Sequence, residues 1–173
     1  AQTNGTRTLS GSTSGKNVTF NGIFYGETVT VSAGLMAGYT NPSFAVISPE
    51  GLVFSSNSFD MPASNVALSV VATAGQVTYK INVYLMGTNG EYPEDDAPSE
   101  VITNGLSGLV NTEITISSTV YTKAGFTFDD TTTTDEDMTK VLTAEYRDGQ
   151  VVGTTVFKLY YSRNQYTLTI KPN

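Results

Sequence analysis

The chain has 173 residues and a formal net charge of −7, and it contains no Cys, no His and no Trp. Disulfides and thiolate metal sites are excluded, and so are the usual general base near neutral pH, the usual partner of a Ser nucleophile and the commonest zinc ligand. Few, scattered Lys and Arg argue against nucleic acid or anionic lipid as partners, and the missing Trp removes the strongest sugar-stacking residue.

Thr and Ser are abundant and long runs of helix formers are absent, which tilts the chain toward strands. No apolar run approaches a membrane-spanning length, and residues 1–15 are polar with no hydrophobic signal core. The reading is that a signal has been removed or that the chain starts inside a longer protein.

Alternation of apolar and polar residues begins at Val18 and Phe20 and recurs at Val29 and Val31. Asn21-Gly22 reads as a hairpin turn, and Tyr25-Gly26-Glu27 leads into a strand from Thr28 to Ser32. Phe44, Val46 and Ile47 predict a strand ended by Pro49-Glu50-Gly51, with Leu52 to Phe54 as the return strand. Phe59-Asp60-Met61-Pro62-Ala63 then interrupts the alternation, because Pro cannot donate to a ladder. Val66, Leu68 and Val70 resume it as the closing strand of a first module, and Thr73 to Gln76 reads as a connector.

In the second half, Val77, Tyr79, Ile81, Val83 and Leu85 predict one strand with a single apolar face. An acidic loop follows at Glu91 to Glu100, then a strand from Glu113 to Ser117 and a Thr- and Asp-rich stretch from Asp129 to Asp137. Lys140 to Tyr146 is compatible with a strand or with one or two helical turns, and Val156 to Tyr161 and Tyr166 to Ile170 read as closing strands. The expectation is a mainly β chain of two tandem small β-rich modules, residues 1–75 and 76–173, with room for one short helix in the second. The first module is close to neutral and the second carries most of the negative charge.

A faint internal repeat runs at about half the chain length. Glu27 to Ser32 followed by Ala37-Gly38-Tyr39 resembles Glu113 to Ser117 followed by Ala124-Gly125-Phe126, and Tyr79 to Val83 resembles Tyr166 to Ile170. On that alignment Tyr166 stands where a third module would begin, which suggests a piece of a longer array.

These residues also resemble known repeats. Tyr25 to Val31, Ala37-Gly38-Tyr39 and Phe59 to Val66 look like a divergent internalin-type B-repeat, also called the Listeria-Bacteroides repeat, with Phe44 nearest to the place where that family carries Trp. Gly149 to Thr169 is similar to the junctions between repeats in bacterial surface proteins of the B-repeat and mucin-binding-repeat kind. The resemblance implies compact β-grasp-like modules, an extracellular location on a bacterial surface, and a role in adhesion or as a stalk. It supplies no catalytic residues.

Several groups stand out as candidate sites. Glu91, Glu94, Asp95, Asp96 and Glu100 are oxygen ligands of the kind Ca²⁺ takes, but their spacing is not that of an EF-hand, Pro93 and Pro98 point to an exposed loop, and a solvated loop is the preferred reading. Asp129-Asp130 and Asp135-Glu136-Asp137 could supply paired carboxylates for glycoside hydrolysis, but no aromatic-lined cleft is evident around them and a plain loop is the preferred reading, with Thr134 or Asp135 also placed to cap a short helix. Tyr160, Tyr161 and Tyr166 are placed on adjacent strands; alternation sends Tyr160 and Tyr161 to opposite faces, one in the core and one free to stack on a sugar or a protein. Lys80 and Lys158 on strands near Asn residues fit either a spontaneous Lys to Asn isopeptide crosslink or a plain solvent face. Asn4-Gly5-Thr6 and Asn17-Val18-Thr19 match the glycosylation sequon but read as turn and strand residues.

No catalytic, cofactor-binding or metal-binding residue is assigned. The functional expectation is a non-catalytic segment of a secreted or cell-surface bacterial protein, monomeric, whose partner is a host or bacterial surface protein or glycan. It would bind no nucleic acid and insert in no membrane. A carbohydrate-binding module and a carboxylate-based glycoside hydrolase are the other classes.

Overall fold

The computed structural model describes residues 12–14 and 17–171. The Asn4 sequon lies outside the described residues, and of Asn17 only the backbone is described. The fold is mainly β, as composition and alternation predict, with several small sheets and, among the described residues, one α-helix. The chain forms two compact units. One holds residues up to Gly34 with Pro42–Val71; the other holds Leu35–Asn41 with the chain from Ala72 onward.

In the first unit, β1 (Ser12–Ser14) pairs antiparallel with β2 (Asn17–Thr19). No strand follows Asn21-Gly22, so the expected hairpin there does not form; the turn falls one step on, where the Glu27 amide donates to the Phe24 carbonyl at 3.1 Å. Next come β3 (Thr28–Thr30) and the longer β4 (Tyr39–Ser48). The predicted return strand at Leu52 to Phe54 is absent. Those residues are irregular, and the Phe54 ring lies 6.5 Å from Phe44 and 6.1 Å from Phe59.

Where Phe59 to Ala63 is expected to interrupt the alternation there is a strand instead, β5 (Ser58–Asp60), which pairs antiparallel with β3 so that Val29 faces Phe59. Pro62 lies just beyond the ladder, where its missing N–H costs nothing. Phe59 is the one buried apolar residue of this unit among the described residues. Strand β6 (Ala67–Ala74) neighbours β4, and both strands cross the points where the chain passes between units.

No connector separates β6 from β7 (Gln76–Thr78). Gly75 alone intervenes, held by its amide on the Gly38 carbonyl at 2.7 Å and by its carbonyl on the Val110 amide at 3.0 Å. The strand expected to run unbroken to Leu85 is two strands. β7 pairs with β10 (Ser107–Leu109), whereas β8 (Lys80–Leu85) sits between β9 (Glu100–Ile102) and the last strand of the unit.

The remaining elements of the second unit are β11 (Glu113–Thr115), a 3-10 turn at Ser118–Val120, β12 (Phe126–Phe128), α1 (Asp135–Met138), β13 (Thr139–Val141), β14 (Ala144–Arg147), β15 (Gln150–Gly153) and β16 (Val156–Arg163). Lys140 to Tyr146 is therefore strand with a break at Leu142 and Thr143, and the helical turn precedes it.

Its main sheet runs β12-β16-β8-β9, with β16 and β8 parallel and each outer strand antiparallel to its neighbour. Alternation puts Ile81, Val83, Phe157, Leu159 and Tyr161 on one face, where they are buried with Val77, Val110, Ile116 and Leu142. At roughly 2 kcal/mol per buried apolar side chain, this cluster is the main source of cohesion in the second unit. After Arg163 the ladder ends, and Tyr166 to Ile170 is not a strand: Tyr166, Leu168 and Ile170 are 81%, 85% and 79% exposed.

Candidate functional site

The other face of the same sheet gathers the chemistry. β8 and β16 are paired in register, so Asn82 stands beside Lys158 and Tyr84 beside Tyr160. Polar side chains on an alternating strand would ordinarily face water, yet Asn82 and Tyr84 are buried. The covering element is the acidic loop between β8 and β9, tied down at several points. The Tyr84 hydroxyl donates to the Asp95 carbonyl at 2.6 Å and accepts from the Asn82 amide at 3.3 Å, and the Leu85 amide donates to Ser99 Oγ at 3.0 Å.

Three tyrosines form the centre. The Tyr160 ring stacks on Tyr84 at 4.8 Å and meets Tyr92 edge-on at 5.2 Å. Each exposed polar end closes on a carboxylate. The Tyr160 hydroxyl donates to Asp95 Oδ1 at 3.2 Å, Lys158 Nζ lies 2.8 Å from Asp95 Oδ2, and the Tyr92 hydroxyl donates to Asp129 Oδ2 at 2.7 Å. The Asp129 carboxylate also accepts from the Thr131 and Thr132 amides at 3.0 Å each, an Asx-type turn that Asp forms readily. That turn docks on β16, since the Asp129 amide donates to the Tyr160 carbonyl and the Tyr160 amide to Thr133 Oγ1.

Protonation follows from these contacts. Hydrogen bonding and charge attraction from Lys158 hold Asp95 below the usual carboxylate range, and the hydrogen bond from Tyr92 does the same for Asp129. The hydrogen bond with Asp95 raises Lys158. Burial pushes Tyr160 up to about 12, and burial together with Asp129 raises Tyr92 further. At neutral pH the site therefore holds the Lys158 ammonium, the Asp95 and Asp129 carboxylates and the neutral Tyr92 and Tyr160 phenols.

The candidates read from sequence are dispersed. Asp95 serves Lys158, Glu91 accepts from the Asn89 side chain at 2.8 Å, and Glu100 pairs with Lys123. Among the described residues no group of three or more acidic side chains converges where a metal ion could sit. Of the second acidic stretch, Asp137 closes a capping box with Thr134 at the start of α1, the cap that the sequence suggested. Tyr160 and Tyr161 do occupy opposite faces of one strand: Tyr161 is in the core, its hydroxyl shared by the Ser118 and Tyr121 carbonyls, and Tyr160 is half-buried above the sheet. Tyr166 is on no adjacent strand. Lys80 is exposed.

The sequence did not single out Tyr84, Tyr92 or Asn82. Tyr84 and Asn82 share the parity of Lys80 along β8, which was the available signal. Two open depressions lie elsewhere: one of about 590 Å³ in the first unit, lined by Pro49, Leu52, Val53, Phe59 and Pro62, and one of about 450 Å³ in the second, lined by Tyr121, Lys123, Phe126, Phe128 and Tyr161. Neither joins the tyrosine cluster. Among the described residues no helix is long and apolar enough to cross a membrane. No protein family, curated protein or solved structure matches the chain.

Proposed function

We propose that this chain is a non-catalytic segment of a bacterial cell-surface or secreted protein, acting in adhesion or as a structural stalk. The observation that supports this reading is the closure of the polar face. Asp95, Asp129 and Lys158 are each engaged by a neighbour that fastens a loop or turn to the sheet. Groups occupied in this way hold structure and leave no free acid and base facing one another across an open cleft, as glycoside hydrolysis requires. Tandem β-rich units and the resemblance to surface repeats agree with it. The segment works outside the cell as a monomer, its partner a host or bacterial surface protein or glycan.

The test is to display the chain on an inert bacterial surface, measure retention on mucin and host-cell layers, and assay the purified chain on aryl glycosides. Adhesion predicts retention above an unrelated spacer of equal length, and a pure stalk predicts parity with that spacer. Turnover of any glycoside would contradict the reading.

A carbohydrate-binding module is the second reading, favoured by the half-buried Tyr92 and Tyr160 rings beside Lys158. It predicts signal on a glycan array that is lost in Tyr92→Ala. A blank array would remove it.

A further inference from the structure

We propose that the second unit is a load-bearing clamp, whose parallel β8–β16 ladder resists tension along the chain by shear. The inference deepens the stalk reading, but it stands on strand geometry.

Strands β8 and β16 are adjacent and parallel across six register pairs, from Lys80 with Val156 to Leu85 with Tyr161. The ladder is continued at both ends. The Lys80 amide donates to the Thr155 carbonyl at 3.2 Å, and the Met86 amide donates to the Tyr161 carbonyl at 3.0 Å. Because the strands are parallel, the start of β8 and the end of β16 are opposite ends of the same ladder. Tension between these points acts along the strands, and every hydrogen bond of the ladder is loaded together. An antiparallel hairpin pulled from its open end is instead unzipped one pair at a time.

Both clamped strands are also interior ones, flanked by β9 and β12. Side chains bridge them on each face: Phe157 lies across from Ile81, and Leu159 across from Val83, in the core. On the outer face the Tyr84 and Tyr160 rings stack between the strands, and Asp95 holds the Lys158 ammonium of one strand while its carbonyl accepts from Tyr84 of the other. Sliding the strands past one another by one register would break all of these contacts at once. This assigns the tyrosine and lysine network a mechanical purpose.

The chain has no native Cys, so paired Cys substitutions give unique handles for single-molecule pulling on the full chain. Thr78→Cys with Gln165→Cys loads the ladder in shear. Thr88→Cys with Gln165→Cys grips the two strand ends on the same side and peels it, and Thr78→Cys with Thr154→Cys peels it from the other side. All four positions are exposed, so the three variants should keep the parent's denaturation midpoint. The clamp predicts a peak unfolding force in shear about twice that in either peeling geometry at equal loading rate. Equal forces in shear and in a peeling geometry would overturn it. Such a result would leave the stalk or adhesion role to the display experiment, which reads retention and not force.

Discussion

Burial raises four tyrosines of the second unit above their ordinary value of 10.0: Tyr92, Tyr121, Tyr160 and Tyr161. An unfolded chain would release these protons near that value, and the folded one only higher, at about 12 for Tyr121 and Tyr160. The unfolded state thus binds fewer protons through this window, so stability is full below pH 10 and is lost as pH rises through the folded values. An alkaline titration should show these four tyrosines ionising late and together with loss of structure. Early ionisation of Tyr160 ahead of unfolding, followed by the change in tyrosinate absorbance on Tyr160→Phe, would contradict its packing between Tyr84 and Tyr92. A second expectation concerns Lys158. Its pairing with Asp95 keeps the amine protonated, and a protonated amine is no nucleophile toward the neighbouring Asn82 amide. The intact mass should equal that of the sequence, whereas a deficit of one ammonia would mean that an isopeptide crosslink had formed.

At the scale of elements, β15 passes β7 so closely that a Cβ built on Gly153 would lie 1.7 Å from the Thr78 carbonyl oxygen. Gly153→Ala should cost about 3 kcal/mol by forcing the two strands apart, read as a lowered denaturation midpoint. A neutral substitution would mean that the strands are not in contact. The elements also divide by how far they can be read from sequence. The β8 and β16 strands were legible because Ile81, Val83, Phe157 and Leu159 alternate, and the α1 start because Thr134 precedes three acidic residues. The β14–β15 hairpin was overlooked although Asp148-Gly149, both at positive φ, is a strong two-residue turn signal. Phe59 was misread because Pro62 seemed to break a ladder that ends just before it. Tyr166 to Ile170 has the right alternation but no partner strand among the described residues, and period-two patterning reports a face without providing a neighbour. The tyrosine cluster was hidden for a related reason: Asn82 and Tyr84 are buried by a loop whose docking no local pattern encodes.

Across the whole molecule, burial is uneven. Ten of the eleven buried apolar side chains among the described residues belong to the second unit, and Phe59 alone to the first. The first unit's described strands form two-stranded ladders, which are marginal on their own, whereas the second has a four-stranded sheet with its core packed on one face and the acidic loop tied across the centre of the other. The two parallel strands at the centre of that sheet should therefore be the last part of the chain to open. Native-state hydrogen exchange resolved to single amides tests this directly. Ile81 to Leu85 and Phe157 to Tyr161 should exchange slowest of all, and Thr28 to Thr30 far faster. Protection of the central pair no greater than that of the first unit's strands would contradict the account.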